Sequence, residues 1–132
     1  MREILFSGKR VDNDEWVEGF YVCVPEHYKS EMSGKSYIVS INNGISFEVI
    51  PETVREYTGS KDQNGKKIFE RDIVTYIGEV CVVKWDDETA KFVLENKNLL
   101  CDFEEVWCNR FKDKVVIIGT VYDNPELLEG WQ

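Results

Sequence analysis

The residues able to do chemistry in this chain are few and scattered. Four cysteines, Cys23, Cys81, Cys101 and Cys108, and one histidine, His27, are the candidates for a soft metal or a nucleophile. A structural zinc site needs four thiolate or imidazole ligands, usually as pairs about two to four residues apart. Cys101 and Cys108 have six residues between them, and His27 sits in a separate polar stretch. The spacing therefore argues for free thiols buried in apolar strands rather than for a metal. A Ser or Cys nucleophile needs a positioned base. His27, among Pro25, Glu26, Tyr28 and Lys29, reads as a solvated loop histidine.

The carboxylates give no better constellation. Paired-carboxylate hydrolysis needs two groups held roughly 5–9 Å apart across a cleft. Asp86-Asp87-Glu88 fits an exposed hairpin turn, and Glu104-Glu105 fits a first helical turn, where acids complement the helix dipole. No calcium-loop spacing and no Gly-rich phosphate loop is present, and Gly78 is isolated. The one basic patch, Lys61, Lys66, Lys67 and Arg71, is interleaved with Asp62, Glu70 and Asp72 and is nearly neutralised. These patterns supply no catalytic, cofactor-binding or metal-ligating residue. An enzyme would have to assemble a cleft from separate strands, with Asp72, Trp85 and Glu105 as the polar groups to watch.

Charge points the same way. The 132-residue chain carries a net charge of −9, with 6 basic against 10 acidic residues in 1–59 and 10 against 15 in 60–132. An acidic surface of this kind repels phosphates and anionic membranes, so nucleic acid is an unfavoured partner and no membrane partner is expected. The start has no apolar stretch of signal-peptide length, and no run approaches the ~18 apolar residues of a membrane span. A reducing cytoplasm is the expected setting.

The elements that must position these residues are short strands. Ile4-Leu5-Phe6 and Trp16–Val24 flank a turn at Asp12-Asn13-Asp14 and predict an N-terminal hairpin, which Pro25 ends. Ser36–Ile41 and Ser46–Ile50 flank Asn42-Asn43-Gly44, which predicts a tight hairpin turn with positive φ. Pro51-Glu52-Thr53-Val54 predicts one helical step, and Asn64-Gly65 a second turn. Ile68-Phe69, Ile73–Ile77, Val80–Trp85 and Lys91–Leu94 read as strands. Asp102-Phe103-Glu104-Glu105 has capping-box spacing and predicts a helix over 102–110. The apolar run Val115–Tyr122 reads as a central strand, and Asn124–Gly130 as a terminal helical turn.

Some eight strands with frequent turns predict a mainly β protein. It would be an SH3-like small barrel at about 60–122 packed with N-terminal β-hairpins, plus one or two short helices. Length bounds it to one compact unit, 1–132, with possible sub-units 1–58 and 59–132. Leu127, Leu128, Gly130 and Trp131 must fold back on the barrel or dock on a neighbouring chain.

Several segments together resemble the YopX family of small phage and prophage proteins of Gram-positive bacteria. They are Phe6–Arg10, Trp16–Tyr21, Val49–Val54, Tyr57-Thr58-Gly59, Lys61–Val74 and Ile118–Leu128, in order along nearly the whole chain. The resemblance implies no activity, cofactor or site residue. It implies a bacterial cytoplasm during phage carriage, and assembly of identical chains is an expectation with it. One departure stands out: Arg71 occupies the position where the family pattern usually has Gly, which puts a left-handed backbone there in doubt. The reading is therefore a non-enzymatic accessory protein working as a homo-oligomer through contacts with phage or host proteins. The alternatives are a nucleic-acid-associated barrel, or an acidic mimic occupying a host nucleic-acid enzyme.

Overall fold

The computed structural model describes residues 3–27, 29–96 and 114–129, together with the backbone of 100–102. The chain divides into two compact units, Met1–Tyr57 and Thr58–Gln132. The first contains β1 (Phe6–Lys9), β2 (Trp16–Cys23), β3 (Ser36–Ser40) and β4 (Ser46–Val49), followed by a 3-10 turn at Pro51–Thr53. β5 (Arg55–Lys61) begins in this unit and runs into the second. The second adds β6 (Lys67–Phe69), β7 (Asp72–Tyr76), β8 (Glu79–Asp86), β9 (Lys91–Glu95), β10 (Leu100–Asp102) and β11 (Val116–Thr120), then a 3-10 turn at Pro125–Leu128. The chain is mainly β with two short helical turns, as its turn-and-strand rhythm predicts. The described residues hold eleven strands, more than the eight legible in the sequence.

In the first unit antiparallel pairing runs β4-β3-β2-β1, and the first residues of β5 pair with β1. The sheet curls until its ends meet. Arg10, just past β1, bridges to Val49 of β4, with Val11 N–H bonded to the Glu48 carbonyl (3.0 Å) and Ile50 N–H to that of Lys9 (2.9 Å). Register places Phe6, Gly19, Tyr21, Ile38 and Phe47 on one face, because directly opposed residues and every second residue share a side. Ile38 and Val49 are fully buried there, and Gly19 lies so close to β3 that a Cβ would strike the Val39 carbonyl oxygen. The connection at 41–45 is longer than the tight Asn-Gly turn expected. Only Gly44 takes positive φ, and the Ser40 and Asn43 side chains accept the N–H groups of Asn42 and Ile45.

In the second unit the sheet order is β10-β9-β8-β7-β11, so the last strand returns beside the first of a meander. This is an SH3-like order, here in an open sheet. Its core is Ile68, Val74, Tyr76, Cys81, Val83, Leu94 and Val115, with Phe92 and Ile117 packed at its margin. The expectation that 115–122 forms a central strand is corrected: β11 is an edge strand, paired only with β7. Its apolar run misleads because the outer edge is covered by the 62–66 turn instead of a further strand. Ile117 N–H donates to Asp62 Oδ2 (3.1 Å), and Gln63 N–H donates to the Val115 carbonyl (3.0 Å). The other Asp62 oxygen accepts the N–H groups of Asn64 (2.9 Å) and Lys66 (3.0 Å). One buried carboxylate thus shapes the turn and blunts a sheet edge. The helix expected over 102–110 falls on 103–110, outside the described residues, and Asp102 is the last residue of β10.

The doubt over Arg71 resolves in favour of the left-handed backbone, with φ of 67°. Arg71 is third in the turn 69–72, a position where positive φ favours Gly. Its N–H reaches the Val83 carbonyl (2.8 Å), its own carbonyl accepts Val121 N–H (3.0 Å), and its guanidinium donates to the Tyr122 hydroxyl (2.9 Å). Asp72 accepts Phe69 N–H (2.8 Å) across the same turn. These bonds hold an arginine where sterics favour glycine.

Ile77 is a second such position, with φ of 50° followed by Gly78 at 75°. The two residues form the whole connection between Tyr76 and Glu79. A two-residue turn with both central φ positive prefers Asn-Gly, and a β-branched side chain there clashes with the following carbonyl. Ile77→Asn is expected to stabilise the protein by about 1 kcal/mol. Asp62→Ala, which strips the acceptor from three backbone N–H groups, is expected to destabilise it by about 2–3 kcal/mol. Urea unfolding of the purified variants checks both, and an unchanged midpoint for Asp62→Ala contradicts the brace.

Candidate contact face

The sequence-level chemistry candidates do not converge. His27 is exposed in the turn before residue 28. Cys81 is buried in the second unit's core, as expected. Cys23 is exposed at the end of β2, which corrects the expectation of uniformly buried thiols: the strand runs out of covering neighbours before it reaches Pro25. The side chains of Cys101 and Cys108, and Glu104 and Glu105, lie outside the described residues. Among the described residues no group of three His, Cys, Asp or Glu could hold a metal.

Asp86 has a local task. The Thr89 hydroxyl donates to its Oδ2 (2.6 Å) and Glu88 N–H to its Oδ1 (3.1 Å), and the Thr89 bond above all holds the carboxyl below its ordinary range. Asp72 is buried and bonded within its own turn. Trp85 stands edge-on to Phe92, with ring centroids 5.0 Å apart. The basic patch is not one field. Lys61 and Lys66 are exposed and Lys67 half-buried, while Arg71 is committed to Tyr122 and lies 3.9 Å from Glu70. Leu127 is exposed and Leu128 half-buried, whereas Gly130 and Trp131 lie outside the described residues.

Sequence reading missed a cluster in the first unit. Strand alternation sends Lys9 and Arg10 to opposite sides, and each meets an aromatic ring. Lys9 and Arg55 both lie over the Trp16 indole, at 5.6 and 4.2 Å, and Arg10 lies 4.2 Å from the centroid of Phe47. Such stacks hold cations against apolar surface. Arg10 also grips Asp12 through two bonds, Nε to Oδ1 (3.0 Å) and Nη2 to Oδ2 (2.7 Å). The adjacent cationic pair in a strand, with Trp16 and Phe47 in neighbouring strands, was the available signal. Between residues 10–12 and 46–48 lies a hollow of about 300 Å³, lined by Arg10, Val11, Asp12, Ser46, Phe47 and Glu48.

The outward face of the curled sheet carries the clearest anomaly. Phe20 opposes Val39 and Val22 opposes Tyr37 in the β2–β3 register, so these four side chains form one block on one face. Phe20 is 58% exposed and Val22 44%, although β2 is an interior strand. Scattered exposed apolar residues are ordinary, but a contiguous block in the middle of a sheet marks a surface built for contact. Glu18, Ser46 and Glu48 border it, and Lys35 stands 4.0 Å from Glu48.

The family model described as YopX protein matches residues 6–129. No curated protein matches the chain. A crystal structure of an Enterococcus faecalis protein matches with a TM-score of 0.58 at 22% identity, covering 98% of this chain and 100% of that one. At that identity the likeness speaks for the fold.

The Arg10–Asp12 pair yields a direct expectation. The Arg10 hydrogen bond holds the Asp12 carboxyl below its ordinary value of 3.8. A depressed folded-state value adds stability above the unfolded carboxyl's titration range, and this is lost as pH falls through the folded value. In an NMR pH titration Asp12 is expected to protonate below 3.8, and Arg10→Ala is expected to move it back up. No movement on removing Arg10 contradicts the pairing.

Proposed function

The chain belongs to the YopX family, and we propose that it is a non-enzymatic accessory protein of phage or prophage that works by protein–protein contact as a homo-oligomer. The observation that carries this reading is the exposed Phe20–Val39 and Val22–Tyr37 block on an interior strand pair. The first partner is a second copy of the same face. An apolar block bordered by Glu18 and by the Lys35–Glu48 pair can pack on its own image about a twofold axis, since the apolar residues meet at the centre and the charges stay at the rim. The acidic total, −9, keeps such a protein away from phosphate surfaces and leaves apolar contact as the selective force. The host cytoplasm suits this reading, and no helix among the described residues is long and apolar enough to cross a membrane.

The nucleic-acid alternative has weaker support, because Arg71 is engaged with Tyr122 and Asp62 sits among the remaining cations. Light scattering across a concentration series tests the proposal. The protein is expected to associate beyond its 15.4 kDa chain mass. Phe20→Ser, acting twice in a twofold interface, is expected to raise the dissociation constant of the face contact at least about tenfold. A monomer at all concentrations, or a Phe20→Ser protein that associates as before, refutes it.

A further inference from the structure

We propose that the tip of the β7–β8 hairpin, Ile77, is an anchor that seats in the Val11–Phe47 hollow of a second copy of this chain. The proposal rests on the self-assembly reading and adds a contact distinct from the Phe20 face. Ile77 is anomalous twice over. Its backbone is left-handed, with φ of 50°, and its side chain is 60% exposed, so nothing described in the chain offsets the strain. The chain places Asn before Gly at two looser turns, Asn43-Gly44 and Asn64-Gly65. At its tightest turn it places a β-branched apolar residue in the position Asn would suit best. Strain held on the surface with no internal compensation is characteristic of a contact residue.

A convex apolar knob needs a concave apolar seat of neutral charge. The hollow beside Arg10 has both properties. It measures about 300 Å³, enough for a branched aliphatic side chain, and two of its walls are Phe47 and the 51%-exposed Val11. Its charged groups are already matched. Asp12 holds Arg10 by two bonds, and Lys35 faces Glu48 at 4.0 Å. An entering aliphatic group therefore strips no unmatched ion of water, whereas an ionic ligand would have to displace an existing pair. Glu79, the exposed residue after the turn, stays at the rim. Knob and seat are different surfaces, so the contact runs head to tail and adds copies beyond the twofold dimer.

The test is light scattering on the intact chain, on Ile77→Asn, on Val11→Asp, and on an equal mixture of the two variants. The unmodified protein is expected to form species heavier than a dimer. Each variant should stop at the dimer, and the mixture should regain the heavier species, since the intact seat of one variant meets the intact knob of the other. Thermal unfolding should show Ile77→Asn at least as stable as the parent, so its lost assembly is not lost folding. A parent that stops at the dimer overturns the anchor and leaves the Phe20 face standing. So do heavier species that survive Ile77→Asn, or a mixture that stays dimeric. A parent that is monomeric throughout overturns both.

Discussion

The second unit depends on one carboxylate. Asp62 accepts three backbone N–H groups, two from its own turn and one from β11, some 55 residues further along the chain. Short strands joined by tight turns leave many main-chain donors without a ladder partner, and a buried donor without an acceptor is costly. The structure answers with side-chain oxygens at each such place. Asp72 serves Phe69, Thr53 serves Lys9, Thr120 serves Tyr122 and Asp123, and Asn124 serves Thr120. Asn124 therefore does not cap the 3-10 turn it precedes, because its oxygen is already bonded to the Thr120 N–H.

This explains why the motif-rich segments carry no chemistry. Lys61–Val74 and Ile118–Leu128 meet through Arg71, which bonds both Val121 and Tyr122, and Asp62 ties the first of them to Ile117. Their polar residues are consumed in holding turns and edges in register. What remains on the surface for interaction is apolar: Phe20 and Val22 on one unit and Ile77 on the other.

Most of the fold was legible because period-two patterning and turn residues are local signals. β2 ends before Pro25, and Pro51 and Pro125 open the two helical turns as their fixed φ suggests. Strand order was not legible. The run 115–122 looks central because it is apolar, yet it lies at an edge closed by Asp62, and that closure is a long-range bond no window can see. The contact face was hidden for the same reason. Phe20 reads as a core residue in an alternating strand, and only the curl of the sheet decides which side of the alternation is covered.

Gly19 and Phe20 are neighbours that obey opposite rules. At 19 the β2 and β3 backbones approach so closely that any side chain would have to push through a carbonyl. At 20 the side chain points to open solvent, and the scaffold is indifferent to its identity. A lineage could therefore exchange the outward residues of β2 and β3 freely, acquiring a new binding partner in a few steps, while the frame beneath stayed fixed.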